Sequence, residues 1–127
     1  MELEGVYVQH MAGGGVELLV SAFRDPVFGV MVSCGAGGNL TELIDDVTLE
    51  RAPVDEASAL HMLERLRIVR RARTPDADPR PAAAFVARFS RLAVTAPWRR
   101  FVLEVNPIKV TLEGVAAVDG LLVVEEP

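Results

Sequence analysis

Phe101-Val102-Leu103-Glu104-Val105-Asn106-Pro107 is the stretch on which the fold turns. Alternate residues of a strand point to opposite faces, so Glu104 and Asn106 share one face while Phe101, Leu103 and Val105 take the other. Pro107 has no N–H to give a ladder, and the pairing is predicted to break there, where the polar face ends. The run Gly114-Val115-Ala116-Ala117-Val118-Asp119 then returns as the partner strand of a hairpin and brings Asp119 back to that edge. Two carboxylates and an amide oxygen on one edge suit magnesium, which takes a few protein oxygens and completes its shell with water and substrate phosphates. The same spacing also fits a polar strand face paired with Arg99 or Arg100. Pattern alone leaves both open.

Upstream, residues 5–11, 15–23 and 28–34 are rich in valine, leucine and aromatics and are separated by glycines or by Asp25-Pro26, the pattern of strands in a largely antiparallel sheet. The cluster Gly35–Gly38 reads as a turn that permits positive φ. Leu40–Ile44 and Val47–Leu49 fit a strand or a helical turn equally. Asp55 is placed to cap a helix from 56 to about 71, with Ala59, Met62, Leu63, Leu66 and Val69 as its buried stripe. After a proline-rich loop at 73–81, Phe85, Phe89, Leu92 and Ala96 follow the spacing of a second helix that Pro97 stops. A turn at Thr111–Gly114 and a final strand complete an α+β layer fold: a largely antiparallel sheet with two helices.

With 127 residues, 50% hydrophobic and 24% charged, the chain fits one domain with a single core. Its net charge of −5 argues against a nucleic-acid surface. No apolar run approaches the ~18 residues of a membrane span, and no signal-peptide pattern follows the acidic start. The one cysteine, Cys34, sits in an apolar run as a reduced, buried thiol. These features place the protein in the cytoplasm. Ser58 and Ser90 have no histidine at helical spacing, so serine-type catalysis is not expected. His10 and His61, each alone, read as structural.

Several pieces recur in a characteristic order: Gly5-Val6-Tyr7-Val8-Gln9, Gly15-Val16-Glu17-Leu18, Asp25-Pro26-Val27-Phe28-Gly29, Gly35-Ala36-Gly37-Gly38 up to Glu42, and Glu104-Val105-Asn106-Pro107 up to Asp119. In this order they resemble the carboxy-terminal half of the ATP-grasp domain of NDP-forming acyl-CoA synthetases, relatives of the succinyl-CoA synthetase beta subunit that also occur fused to protein acetyltransferases. The resemblance covers nearly all of 1–127 and implies a single carboxy-terminal ATP-grasp subdomain, a portion of a larger protein or a stand-alone half-domain. It implies magnesium at Glu104, Asn106 and Asp119, and ATP/ADP or another nucleoside di- or triphosphate near Gln9, Glu17, Gly37 and Gly38. The implied partners are an amino-terminal ATP-grasp half and CoA-binding domains. The implied activity is phosphoryl exchange with a nucleotide during acid–thiol ligation. In such enzymes a phosphohistidine on a different domain carries the phosphoryl group, so neither His10 nor His61 is cast in that role.

Two departures accompany the resemblance. The family grips phosphates with lysines of the amino-terminal half, and Lys109 is the only lysine among 13 basic residues here. Where relatives carry Gly-x-Arg-Gly after the first helix, this chain has Arg67-Ile68-Val69-Arg70-Arg71-Ala72-Arg73-Thr74-Pro75. Isolated, the chain is expected to be inactive as a ligase. A non-catalytic regulatory or interaction module derived from the domain is the alternative.

Overall fold

The computed structural model describes residues 3–9, 15–38, 45–72 and 78–125. Its elements, in order, are β1 (Val16–Asp25), β2 (Gly29–Ala36), β3 (Val47–Arg51), α1 (Glu56–Glu64), α2 (Arg67–Arg71), α3 (Arg80–Val94), β4 (Arg100–Thr111), β5 (Gly114–Ala117) and β6 (Gly120–Glu125). The strands form one antiparallel sheet in the order β3-β2-β1-β4, with β5 and β6 sharing the outer edge of β4. The α+β class, with its antiparallel sheet, holds.

The β1–β2 hairpin closes because the Asp25 carboxylate accepts the N–H groups of Val27 at 2.7 Å and Phe28 at 2.9 Å. Gly29 then takes a φ of 79° that a side chain would disfavour. Alternation decides the rest. Leu18, Val20 and Ala22 of β1, Val30, Val32 and Cys34 of β2, and Phe101, Ile108 and Val110 of β4 are buried together under the helices. The opposite face carries no helix among the described residues. Burial pushes the Cys34 thiol up to about 12, which leaves it un-ionised and inert at neutral pH.

Asp55 caps α1, its carboxylate accepting the Ser58 N–H at 2.7 Å. This hydrogen bond holds the carboxyl below the usual aspartate range. The predicted stripe of Ala59, Met62, Leu63, Leu66 and Val69 is buried throughout. The single helix over 56–71 is instead two. Leu66 turns extended, with φ −71° and ψ 132°. The Asp46 carboxylate accepts the N–H groups of Arg67 at 3.0 Å and Ile68 at 2.9 Å, starting α2 afresh. Asp46 is therefore a buried capping group.

In α3 the expected face holds in part: Phe89 is buried and Phe85 and Ala96 pack against the core. Ala82, Ala83, Val86, Ala87, Phe89, Ser90 and Ala93 are buried, whereas Leu92 faces solvent. The small residues beside Val86 and Phe89 let the helix lie close to α1 and the sheet. Ser90 is structural: its hydroxyl accepts the Val54 N–H at 3.0 Å and donates to the Ala87 carbonyl at 2.8 Å.

Residues 3–9 form no strand and are exposed, which corrects the expected strand over 5–11 for its described part. An extended segment needs a neighbour for its ladder, and none of the described strands pairs with it. Val47–Leu49 resolves as part of β3, while Leu40–Ile44, Glu42 and His10 lie outside the described residues. No described helix is long and apolar enough to cross a membrane.

Candidate functional site

β4 does not stop at Pro107; it runs on to Thr111. The expected break is a change of register instead. Leu18 faces Ile108 and Val20 faces Val105, so Leu19 alone opposes both Asn106 and Pro107. This is a β-bulge, where a residue without an N–H is tolerated in a central strand. The extra residue keeps Ile108 and Val110 in the core and Lys109 on the open face.

On its other edge β4 stays in step. Val105 faces Gly120 and Ile108 faces Ala117, which sets Asn106 opposite Asp119. The Asn106 N–H donates to the Asp119 carbonyl and the Val118 N–H to the Pro107 carbonyl, each at 3.0 Å. Opposed residues of an antiparallel pair put their side chains on one face. Asp119 is exposed and its carboxylate accepts the Gly120 N–H at 2.9 Å. Glu104 precedes Asn106 on the same side of β4, between Ser21 and Leu121.

The glycine turn arrives from the other direction. The Gly37 N–H donates to the Glu17 carbonyl at 2.9 Å. The Gly38 N–H donates to the Asn106 Oδ1 at 2.8 Å. A Cβ on Gly37 would run into the backbone of Leu18, and one on Gly38 into the Glu17 carboxylate; Gly38 also has a φ of +64°. Gly37 is required by close approach to the backbone, Gly38 by its positive φ. Glu17 faces Lys109 across the β1–β4 pairing, and their side chains form an ion pair of 3.5 Å.

The structure thus gathers Glu17, Gly37, Gly38, Asn106 and Lys109, with Asp119 backbone-bonded to Asn106 and Glu104 one strand repeat away. Gln9 is in the exposed 3–9 segment, outside every strand. His61 is on α1, on the helical side of the sheet. Arg99 and Arg100 do not pair with Glu104; Arg100 pairs with Glu125 at 3.4 Å. The sequence reading missed two features, the bulge and the Glu17–Lys109 pair. The signals were an Asn-Pro inside a long apolar strand and a single lysine after it.

The donors are hard oxygens, as a magnesium shell needs. Asn106 Oδ1 must be the amide oxygen, since it accepts from an N–H, and its second lone pair is available to a cation. Among the described residues no three His, Cys, Asp or Glu side chains gather as a metal centre. A cation here would therefore depend on the amide and on ligand oxygens from outside the chain.

Comparison with known proteins agrees with this arrangement. The family model described as "ATP-grasp domain" matches residues 1–124. The chain is 36% identical over 129 aligned residues to an ADP-forming acetate–CoA ligase of Archaeoglobus fulgidus, covering 98% of this chain and 18% of that protein. It superposes with a TM-score of 0.81 and 30% identity on acetyl-coenzyme A synthetase 1 of Ca. Korarchaeum cryptofilum solved with coenzyme A, Ca-AMPCP and HgCl+, covering 98% of this chain and 56% of that one. The same enzyme in complex with coenzyme A and Mg-AMPPCP gives a TM-score of 0.79 at 28% identity, covering 90% and 55%. The chain thus spans about a fifth of the first relative and about half of the solved chain. By sequence and by fold, the chain belongs to the ATP-grasp domain family, alongside the ADP-forming acyl-CoA synthetases.

Proposed function

We propose that the chain supplies the metal- and phosphate-facing part of the nucleotide site in an ADP-forming acyl-CoA synthetase. There, phosphoryl exchange with the nucleotide would accompany the joining of a carboxylic acid to coenzyme A. The observation that carries this reading is the Gly38 N–H on Asn106 Oδ1, which joins the glycine turn to the strand bearing the oxygen ligands. Asn106, Asp119 and Glu104 would hold magnesium, which would neutralise phosphate charge. Gly37 and Gly38, whose own N–H groups are held by Glu17 and Asn106, would let a phosphoryl group come close to the backbone where a side chain would stand in the way. Glu17 and Lys109 would set the charge beside it, and Gln9 would border the base. The proteins of known structure that support this hold coenzyme A together with Mg-AMPPCP or Ca-AMPCP. Since those chains are about twice as long, an amino-terminal ATP-grasp half and CoA-binding domains are the partners in this reading.

The competing reading is a non-catalytic regulatory or interaction module. It is favoured by the arginines standing where relatives have glycine after the first helix. Asp119→Asn separates the two. Calorimetric titration with nucleotide should show affinity falling in the presence of magnesium by about tenfold, equivalent to ~1.4 kcal/mol, with thermal stability unchanged because Asp119 is exposed. Equal magnesium-dependent binding by both proteins would remove the metal assignment. The 127-residue chain alone should turn over no acyl-CoA above a no-protein control.

A further inference from the structure

At the far end of the same open face, where β1 turns into β2, lies an open hollow of about 1160 Å³. Phe23, Val102 and Val123 form its floor, aligned by the register of β1, β4 and β6. Arg51 on β3 and Arg99 and Arg100 at the start of β4 line the rim. Arg24 braces the wall: it donates to the Ala96 carbonyl at 2.9 Å and the Trp98 carbonyl at 3.1 Å, and its guanidinium stands 5.7 Å from the Phe101 ring centre. Of the two acids in the lining, Asp25 is committed to its turn and Glu125 only to an exposed pair with Arg100. Arg51 spends Nε on the Phe28 carbonyl and keeps its terminal NH2 groups. Arg99 makes no hydrogen bond or ion pair with the described residues. In a chain of net charge −5, this end of the sheet is locally basic.

We propose that this hollow binds a soluble phosphoester, with the phosphates on Arg51, Arg99 and Arg100 and the organic body on the Phe23–Val102–Val123 floor. Guanidinium forks match phosphate oxygens two at a time, and three of them, Arg51 from β3 and the neighbouring Arg99 and Arg100 from the start of β4, line the one hollow. A mostly apolar floor with a few convergent polar groups is the usual composition of a ligand site. The site is distinct from the bulge, since Arg100 and Asn106 are separated by about 20 Å of strand at ~3.3 Å per residue. It needs no metal, because the arginines supply the countercharge. Its affinity should fall as salt rises, as the rim is solvent-exposed.

Trp98, the only tryptophan, stands next to Arg99 and against Phe101, ring centres 6.3 Å apart, and serves as a reporter. The 127-residue chain is titrated with inorganic pyrophosphate by Trp98 fluorescence, and with pyrophosphate, ADP and coenzyme A by calorimetry, without magnesium and at constant ionic strength. The expected result is saturable binding, tighter for ADP or coenzyme A than for pyrophosphate because the floor contributes. Arg99→Gln with Arg100→Gln should weaken it about tenfold or more, and Arg51→Gln alone should weaken it too. Asn106→Ala should leave it unchanged. Absence of saturation, an equal response to chloride at matched ionic strength, or unaltered affinity in the arginine variants would overturn the proposal. Loss of binding in Asn106→Ala would do the same, by relocating the anion to the bulge. Circular dichroism of each variant confirms that the fold is retained; these arginines are exposed and outside the core cluster.

Discussion

The two faces of the sheet are made from the same strands, taken at alternate residues, and they behave as different materials. The helical face is a sealed core in which Val20, Val32, Met62, Leu66 and Ile108 have no exposed surface. The open face mixes ionic side chains with aliphatic ones left partly in water: Leu49, Val102, Leu121 and Val123 lie between 41% and 58% exposed. A buried face is selected for packing; an open face holding both charges and exposed aliphatics has something else to contact. The difference locates where changes should cost stability and where they should cost binding.

The largest effect is expected on the helical face. Met62→Ala should destabilise by about 2–5 kcal/mol, since it opens a cavity between α1 and its neighbours; the urea unfolding midpoint would measure it. A change below about 1 kcal/mol would mean that the core under α1 collapses to fill the space. Next is Gly38→Ala, where a positive φ and the Glu17 carboxylate both oppose a methyl group. About 1 kcal/mol or more should be lost, and the Lys109–Glu17 pair should separate, as read by the shift of the Glu17 side-chain resonance. On the open face, Val123→Lys should alter stability by no more than about 0.5 kcal/mol. A larger loss in thermal melting would show that this face is packed in the isolated chain.

The smallest effect is at the helix cap. Because Asp55 is held below the ordinary aspartate range, its contribution is fully present above about pH 3.9 and fades as pH falls through its lower folded value. Asp55→Asn keeps a capping side chain but removes this titration. The two proteins should therefore differ in the slope of acid unfolding and agree at neutral pH. Identical acid limbs would show that the cap does not survive in solution.

What was legible in the sequence follows the same division. Phe101, Leu103 and Val105 against Glu104 and Asn106 is an alternation that burial enforces, so the strand and its faces could be read directly. The α1 stripe is similarly strong. Three things escaped, each because a distant residue decides it. Asp46 starts α2 from 21 residues upstream of Arg67, and no local propensity interrupts the apolar spacing at Leu66. In α3 the spacing of Phe85, Phe89, Leu92 and Ala96 found three residues that meet the core, but Leu92, in step with them, points to solvent. The bulge at Asn106–Pro107 is defined only relative to β1, so a single strand cannot announce it. In the candidate site, the approach of Asp119 to Asn106 could be anticipated from their order along the chain. The Glu17–Lys109 pairing required the register, and Gln9 has no side-chain contact that sequence or structure assigns to it.

The bulge has one more consequence. β3, β2 and β1 keep one set of rows, while β4 with β5 and β6 keeps another, shifted by a residue from Asn106 onward. In the language of crystals this is a dislocation: an extra half-row enters the lattice and ends inside it. Its core lies at Leu19, Asn106, Pro107 and Asp119. A dislocation cannot be removed by exchanging atoms at its core, only by moving the whole half-row. Point substitutions can accordingly change which groups stand at this spot, but displacing the spot would need a residue gained or lost in β4 and in the Ala117–Gly120 connection together.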